Sequence, residues 1–352
     1  MFLPPVLRPV AYAFAKLYEL GVRTRLQWYE RGWLKTRKLP APVISVGNLT
    51  VGGTGKTPCT AYLANLLTAE GYRVAILSRG YQRTSQGIVE VSDGERILCS
   101  PWEAGDEPYL LAQQCSGVRV VVNADRYEAG MWLWRRAKVD VFLLDDGYQH
   151  IGLHRDVNLA LIDAQEDLAQ ARLLPHGRWR EPVEQLLRAS AVMITRVESP
   201  ADGERLTAQL RRYTTAPIFH ARHALTGLRR LPTYETQDLT VYRNQPVAAF
   251  TGIAQPDKFF ADLQSVGLSV VWRRAFADHH RYQLNEVNDL CVAARAAGAH
   301  VILTTEKDAA NLPPDFFGET PRVPLYATQM RFDCYQAEAL RELIFAAVRG
   351  SR

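Results

Sequence analysis

The chain has 352 residues, of which 47% are hydrophobic and 22% charged, and it carries a formal net charge of +5. This composition excludes a disordered chain, and the length favours two globular domains of ordinary size. Cys59, Cys99, Cys115, Cys291 and Cys334 are scattered without metal-ligand spacing, which argues against a cysteine-held metal and predicts reduced cytosolic thiols.

Residues 1–40 hold most of the positive charge. Arg8, Lys16, Arg23, Arg25, Arg31, Lys35, Arg37 and Lys38 stand against Glu19 and Glu30, an excess of six that exceeds that of the whole chain. Phe2, Leu3, Val6, Leu7, Tyr12, Phe14, Leu17, Tyr18, Leu20, Trp28, Tyr29 and Trp33 are interleaved with them. The uncharged run Pro9–Ala15 falls far short of the ~18–20 apolar residues a spanning helix needs. No small-residue cleavage site follows a long apolar core, so a removed signal peptide is not expected. Basic, aromatic and apolar residues at helical spacing predict an amphipathic helix lying on an anionic membrane surface. The plainer reading is a helix packed on its own protein with solvated charges. The rest of the chain is near neutral, so a nucleic-acid partner is not expected.

The next segment, Pro42–Val46, reads as a short buried strand, and Pro58–Glu70 reads as a helix. Between them lies Thr50-Val51-Gly52-Gly53-Thr54-Gly55-Lys56-Thr57, a phosphate-loop pattern in the context it requires. Glycines let backbone N–H groups close around phosphate oxygens, and the helix start adds a favourable dipole. Lys56 is expected to reach the terminal phosphates of ATP or GTP, and the Thr57 hydroxyl to hold Mg²⁺. Position 50 departs from the usual loop, which opens with glycine.

Strand-like runs then alternate with helical ones at Arg73–Leu77, Val118–Val122, Val139–Leu144, Asn158–Ile162 and Ala191–Thr195, which predicts a parallel sheet covered on both faces. Gly87–Ser92 and Glu95–Cys99 flank Asp93-Gly94, a hairpin signal. Gly105-Asp106-Glu107-Pro108 opens a helix over Tyr109–Ala112. Its acids suit a helix start, or Asp106 serves as a general base toward an attacking hydroxyl. Asn123-Ala124-Asp125-Arg126 starts another helix, where Arg126 could meet an anionic group. The apolar run into Asp145-Asp146-Gly147 places acids at a strand tip, the position of Mg²⁺-binding carboxylates beside a phosphate loop. Tyr148, Gln149 and His150 are expected to face nucleotide or acceptor. Gly177–Pro182 is basic and aromatic; it contacts phosphates, or Trp179 anchors the loop.

Residues 217–245 read as an extended connector. A second alternating set follows: strands at Val247–Thr251, Leu268–Trp272, Val301–Thr305 and Leu325–Ala327, and helices at Pro256–Ser265 and Asn285–Ala297. Asp278-His279-His280 lies within it, where a histidine could orient Asp106 or share its proton. The predicted fold is α/β: a phosphate-loop NTPase-like parallel-sheet domain over 41–216 and a second, smaller α/β domain over 246–334. An extended two-strand hinge at 217–245 joins them, the amphipathic segment covers 1–40, and a C-terminal helix covers 335–352.

These motifs stand in one order: Ser45–Pro58, Ser78-Arg79-Gly80-Tyr81, Gly105–Pro108, Asn123–Arg126, Asp145–His150, Arg180-Glu181-Pro182, Asp278–His280 and Thr304-Thr305-Glu306-Lys307-Asp308. The set resembles the tetraacyldisaccharide 4′-kinases, the lipid A kinases of Gram-negative bacteria, over nearly the whole chain, and Thr50 is shared with that family. The resemblance implies transfer of the ATP γ-phosphate to the 4′-hydroxyl of a tetraacylated glucosamine disaccharide 1-phosphate, with Mg²⁺, at the cytoplasmic face of the inner membrane. It implies Asp106 as the catalytic aspartate with His279 beside it, and Lys56 on the transferred phosphoryl group. Arg79, Arg126, Gln149, His150 and Arg180 would serve the substrates, and Thr57, Asp145, Asp146 and Glu107 the metal. A membrane-docked nucleotide switch is the alternative, although a switch has no use for a base aimed at a sugar hydroxyl.

Overall fold

The computed structural model describes residues 8–233, 235–313, 316 and 323–350. Phe2, Leu3, Val6 and Leu7 of the expected amphipathic segment lie outside the described residues.

The elements run α1 (Arg8–Glu30), β1 (Val43–Asn48), α2 (Lys56–Ala69), β2 (Val74–Ser78), β3 (Val89–Asp93), α3 (Pro101–Ala104), α4 (Asp106–Gln114) and β4 (Arg119–Val122). Next come α5 (Arg126–Trp134), β5 (Val141–Asp145), β6 (Val157–Asp163), β7 (Ala191–Thr195), α6 (Pro200–Leu210), β8 (Ile218–Leu231) and β9 (Thr236–Gln237). The chain continues with β10 (Pro246–Thr251), α7 (Pro256–Ser265), β11 (Ser269–Ala275), α8 (Leu284–Ala296), β12 (Val301–Thr305), α9 (Glu306–Ala310), β13 (Leu325–Cys334) and α10 (Ala337–Gly350).

Every residue of β1, β2, β5, β6 and β7 is buried, the signature of parallel strands covered on both faces. All strands belong to one sheet ordered β11-β10-β12-β13-β8-β7-β6-β1-β5-β2-β4-β3, with β9 attached to β8. The expected connector is therefore itself sheet. Its strand β8 begins parallel to β7 and continues antiparallel to β13. Strand β13 runs on to Cys334, well past the expected end at Ala327, because its far half pairs with β8 while Gln329 to Arg331 stay accessible. The hairpin turn at Asp93-Gly94 forms, but its return stretch makes only an isolated bridge, Ser92 to Ile97. β3 pairs instead with β4, antiparallel.

Helix α10 returns to the phosphate-loop half. Its Leu340, Ile344, Phe345 and Val348 join the core formed with Leu63 and Leu67 of α2. Helix α1 buries Ala11, Ala15 and Leu26 while Val10, Phe14, Leu17, Leu20 and Trp28 remain exposed. Apart from Leu26, its buried apolar residues are small while most of its large ones face outward, unlike a helix that merely covers a core.

Candidate active site

The phosphate loop connects β1 to α2, as the apolar run and the helical run on either side of it dictate. Gly52 and Gly55 have φ of 107° and 82°, values that favour glycine, and Gly55 caps α2 with no side-chain hydrogen bond. The first N–H groups of α2 thus lack a side-chain cap and suit an anion. The loop is braced from several sides. Asn48 donates to the Thr54 hydroxyl at 2.8 Å, Thr195 donates to the Thr54 carbonyl at 2.9 Å, and the Val51 N–H donates to the Arg178 carbonyl at 2.7 Å. A Cβ at Gly55 would meet the His223 ring of β8 at 2.3 Å, so this contact admits only glycine.

At the tip of β5, the two acids are treated differently. Arg180 grips Asp146 with both guanidinium nitrogens, at 2.8 and 3.0 Å, and Lys56 Nζ lies 3.9 Å from the same carboxylate. Burial alone would push the Asp146 carboxyl up, but Lys56 and Arg180 outweigh it and hold it at about 2. Asp145 is fully enclosed; it accepts from Thr60 at 3.2 Å and from Ser78 at 3.4 Å. Burial, then Glu107 and Asp146, push its carboxyl up to about 7. Glu107 is raised too, first by burial, while Lys307 and Lys56 pull the other way. Asp145 thus feels the charge of Glu107, and both carboxyls are desolvated. Carboxylate oxygens are the donors a hard divalent cation such as Mg²⁺ takes.

Asp106 is the first residue of α4 and only 6% exposed. It does not cap the helix; Gly105 precedes it without a side-chain cap. Its carboxylate accepts from the Glu107 N–H at 2.9 Å and lies 2.7 Å from His279 Nδ1. Lys307 Nζ of α9 is 3.6 Å from Asp106, 3.3 Å from His279 Nε2 and 3.3 Å from Asp278. Burial works against the Asp106 carboxylate, but His279 and Lys307 outweigh it and hold its pKa below the usual range. Burial also opposes charge on His279, yet Asp106 raises its pKa above 6.5.

The turn carrying His279 is tied down from behind by Asp308. Its buried carboxylate accepts from the Thr251 hydroxyl at 2.7 Å, the Gly252 N–H at 2.7 Å, the Tyr282 hydroxyl at 2.8 Å and the Thr305 hydroxyl at 2.6 Å. The Gly252 carbonyl in turn accepts from the His279 N–H at 3.0 Å, at a backbone φ of 60°. Asp308 therefore fixes both His279 and the helix bearing Lys307. The adjacent His280 packs away from Asp106, stacked on Phe276 and 3.1 Å from Glu286.

Among the expected substrate residues, Arg126 and His150 are drawn together. Burial, and then Arg126, lower the His150 pKa to about 4, so this imidazole is neutral. Arg126 is 6% exposed with its Nε unpartnered. Gln149 donates to the Asn48 carbonyl at 2.9 Å, leaving its Oε1 buried and unpartnered. Arg79 is exposed just past the end of β2, and its charge is felt at Arg126. Arg25 of α1 donates to the Gln149 carbonyl at 3.3 Å and Tyr18 donates to the Arg180 carbonyl at 2.9 Å, so α1 borders this group. Tyr148 does not face a ligand: it is fully buried and donates to the Gln185 carbonyl at 2.6 Å. Trp179, 3% exposed, anchors its loop instead of contacting phosphate.

Sequence reasoning left Lys307 and Asp308 without a role, although both lie in the Thr304–Asp308 motif. Thr305 accepts from the Asp308 N–H at 3.1 Å as the cap of α9, a start signal that was readable. The convergence with Asp106 was not readable, because it depends on α4 meeting α9.

The family model for tetraacyldisaccharide-1-P 4′-kinase matches residues 7–349. The tetraacyldisaccharide 4′-kinase of Geobacter metallireducens is 44% identical over 301 residues, covering 84% of this chain and 86% of the relative. That of Geobacter sulfurreducens is 45% identical over 315 residues, covering 89% and 86%. A crystal structure of "apo" form LpxK from Aquifex aeolicus in complex with ATP superposes with a TM-score of 0.79 at 35% identity, covering 97% of this chain and 99% of that one.

Proposed function

This chain belongs to the tetraacyldisaccharide 4′-kinase family, and on that premise we propose how its residues divide the work of the reaction. The enzyme transfers the γ-phosphate of ATP to the 4′-hydroxyl of the tetraacyldisaccharide 1-phosphate precursor of lipid A. A nucleotide switch is not favoured.

The observation that carries the assignment is the buried Asp106 carboxylate, paired with His279 at 2.7 Å across two halves of the sheet. Asp106 takes the proton of the 4′-hydroxyl as that oxygen attacks phosphorus. The phosphate loop, Thr50 to Thr57, holds the ATP phosphates, and Lys56 shifts from Asp146 to the transferred phosphoryl group. Thr57 and Asp145 would hold Mg²⁺, with Glu107 beside them and Asp146 secured by Arg180. When bound, the cation neutralises charge on the phosphate oxygens. Arg79, Arg126, Gln149 and His150 line the acceptor side, where guanidinium groups suit the anionic disaccharide.

The exposed apolar residues of α1 suit a membrane surface, which keeps acyl chains in lipid while the sugars reach Asp106. Among the described residues, no helix is long and apolar enough to cross a membrane. We place the protein on the cytoplasmic face of the inner membrane, bound to anionic lipid and not to nucleic acid. Labelled-ATP transfer with and without the lipid acceptor tests the reaction, and Asp106→Ala tests the base.

A further inference from the structure

We propose that Lys307 is a positioning residue that keeps His279 neutral and singly protonated on Nδ1, so that Asp106 remains free to accept the hydroxyl proton. The inference rests on the general-base reading of Asp106 given above.

The argument starts from donors and acceptors. An ionised carboxylate only accepts, so at 2.7 Å from Asp106 the His279 Nδ1 carries a proton. An ammonium only donates, so at 3.3 Å from Lys307 Nζ the His279 Nε2 offers its lone pair. Both contacts together define one state of the ring, neutral with its proton on Nδ1. A second proton on Nε2 would point at a cation and lose that hydrogen bond.

The charged groups facing this ring come from several elements. Asp106 and Glu107 lie at the start of α4, Asp278 lies beside His279 and Lys307 lies on α9, while the Tyr81 ring packs edge-on at 5.4 Å. Asp106 and Asp278 favour the imidazolium and Lys307 opposes it. Lys307 is itself held by Asp278 at 3.3 Å and by Asp106 at 3.6 Å, so its ammonium is fixed where it acts. Without Lys307, two carboxylates would face the imidazole with no cation against them. The ring would then hold its second proton to higher pH, and a carboxylate bonded to imidazolium is a weaker base.

Lys307 does not need to touch either substrate for this role, which separates it from Lys56. The test is ¹⁵N-histidine NMR of the full chain together with pH–rate profiles for wild type, Lys307→Met and Lys307→Arg. In Lys307→Met the His279 titration midpoint should rise by about one pH unit or more, the usual effect of a charge at this range. The acid limb of kcat/KM should move up with it, while the ATP KM stays within about two-fold. Lys307→Arg, which keeps a donating cation, should lie close to wild type in both measurements. Lys307→Gln, neutral and of similar length, gives the same readout if the methionine variant does not fold. An unmoved midpoint in a transfer-competent enzyme overturns the inference. So does a loss of rate with a raised ATP KM and an unmoved acid limb, which would make Lys307 a nucleotide ligand. Absence of acceptor phosphorylation in the wild type would instead defeat the proposed function.

Discussion

His279 Nδ1 meets Asp106 Oδ2 at 2.7 Å, joining the first residue of α4 to the turn between β11 and α8. The two residues come from opposite sides of the β8–β13 ribbon, so this contact bridges the two halves of the sheet. If Asp106 is the base, its pairing with His279 requires the two halves to be closed together.

Replacing Asp106 with alanine should lower kcat by roughly 10²–10⁴, the usual range for losing a general base, with little change in ATP affinity. His279→Ala should lower it as well. If the pair acts as a unit, the double variant loses less than the product of the single losses. Steady-state kinetics of the four enzymes checks this, and multiplicative losses would show independent roles.

Activity should fall on the acid side as His279 gains its second proton. Burial opposes charge on His279, but the Asp106 partnership outweighs it and raises the folded pKa, so the neutral ring is lost at a higher pH than for a free imidazole as acidity increases. Asp106 itself, lowered by His279 and Lys307 despite burial, stays ionised throughout that window. A kcat/KM profile with an acid limb only near 4 would exclude His279 from the titration.

On the proposed role of its ammonium in stabilising charge on the transferred group, Lys56→Ala should reduce turnover by at least about 10²-fold. It should also raise the Asp146 pKa, since Lys56 is the largest influence holding that carboxylate down. Wild-type turnover in a folded Lys56→Ala protein would remove the loop lysine from the reaction.

Membrane docking should depend on a subset of the residues between 1 and 40. Arg37 is committed to Asp125 and Glu128 and stacks on Tyr127, so it serves the fold. Arg31, Lys35, Lys38, Phe14, Leu17 and Trp33 are exposed. Neutralising Arg31, Lys35 and Lys38 should remove salt-sensitive flotation with anionic vesicles, at about 1 kcal/mol per charge near the surface. Phe14→Ser with Leu17→Ser should weaken binding at any salt. Unchanged flotation in both variants would mean that α1 only packs on the protein.

The phosphate loop, the acids after β5 and most strands were legible because they obey local rules: buried parallel strands read as apolar runs, and a glycine-rich turn before Lys-Thr has one common use. The far half of β13 was not, since Gln329, Arg331 and Asp333 on an antiparallel ribbon look like loop. Tyr148 follows the β5 tip and so reads as ligand-facing, whereas the turn at Gly147 directs it into the core against Arg188. Lys307 was invisible as a partner of Asp106 because tertiary packing alone brings α9 to α4. The residues missed are those whose meaning lies in a contact.

The most direct test of the account uses γ-labelled ATP, Mg²⁺ and a tetraacyldisaccharide 1-phosphate acceptor, with wild-type protein and Asp106→Ala run side by side. The account predicts label on the 4′-oxygen in the wild type, strict dependence on acceptor, and near-complete loss in Asp106→Ala. Release of labelled inorganic phosphate at one rate with or without acceptor, or undiminished 4′-phosphorylation by Asp106→Ala, would contradict it.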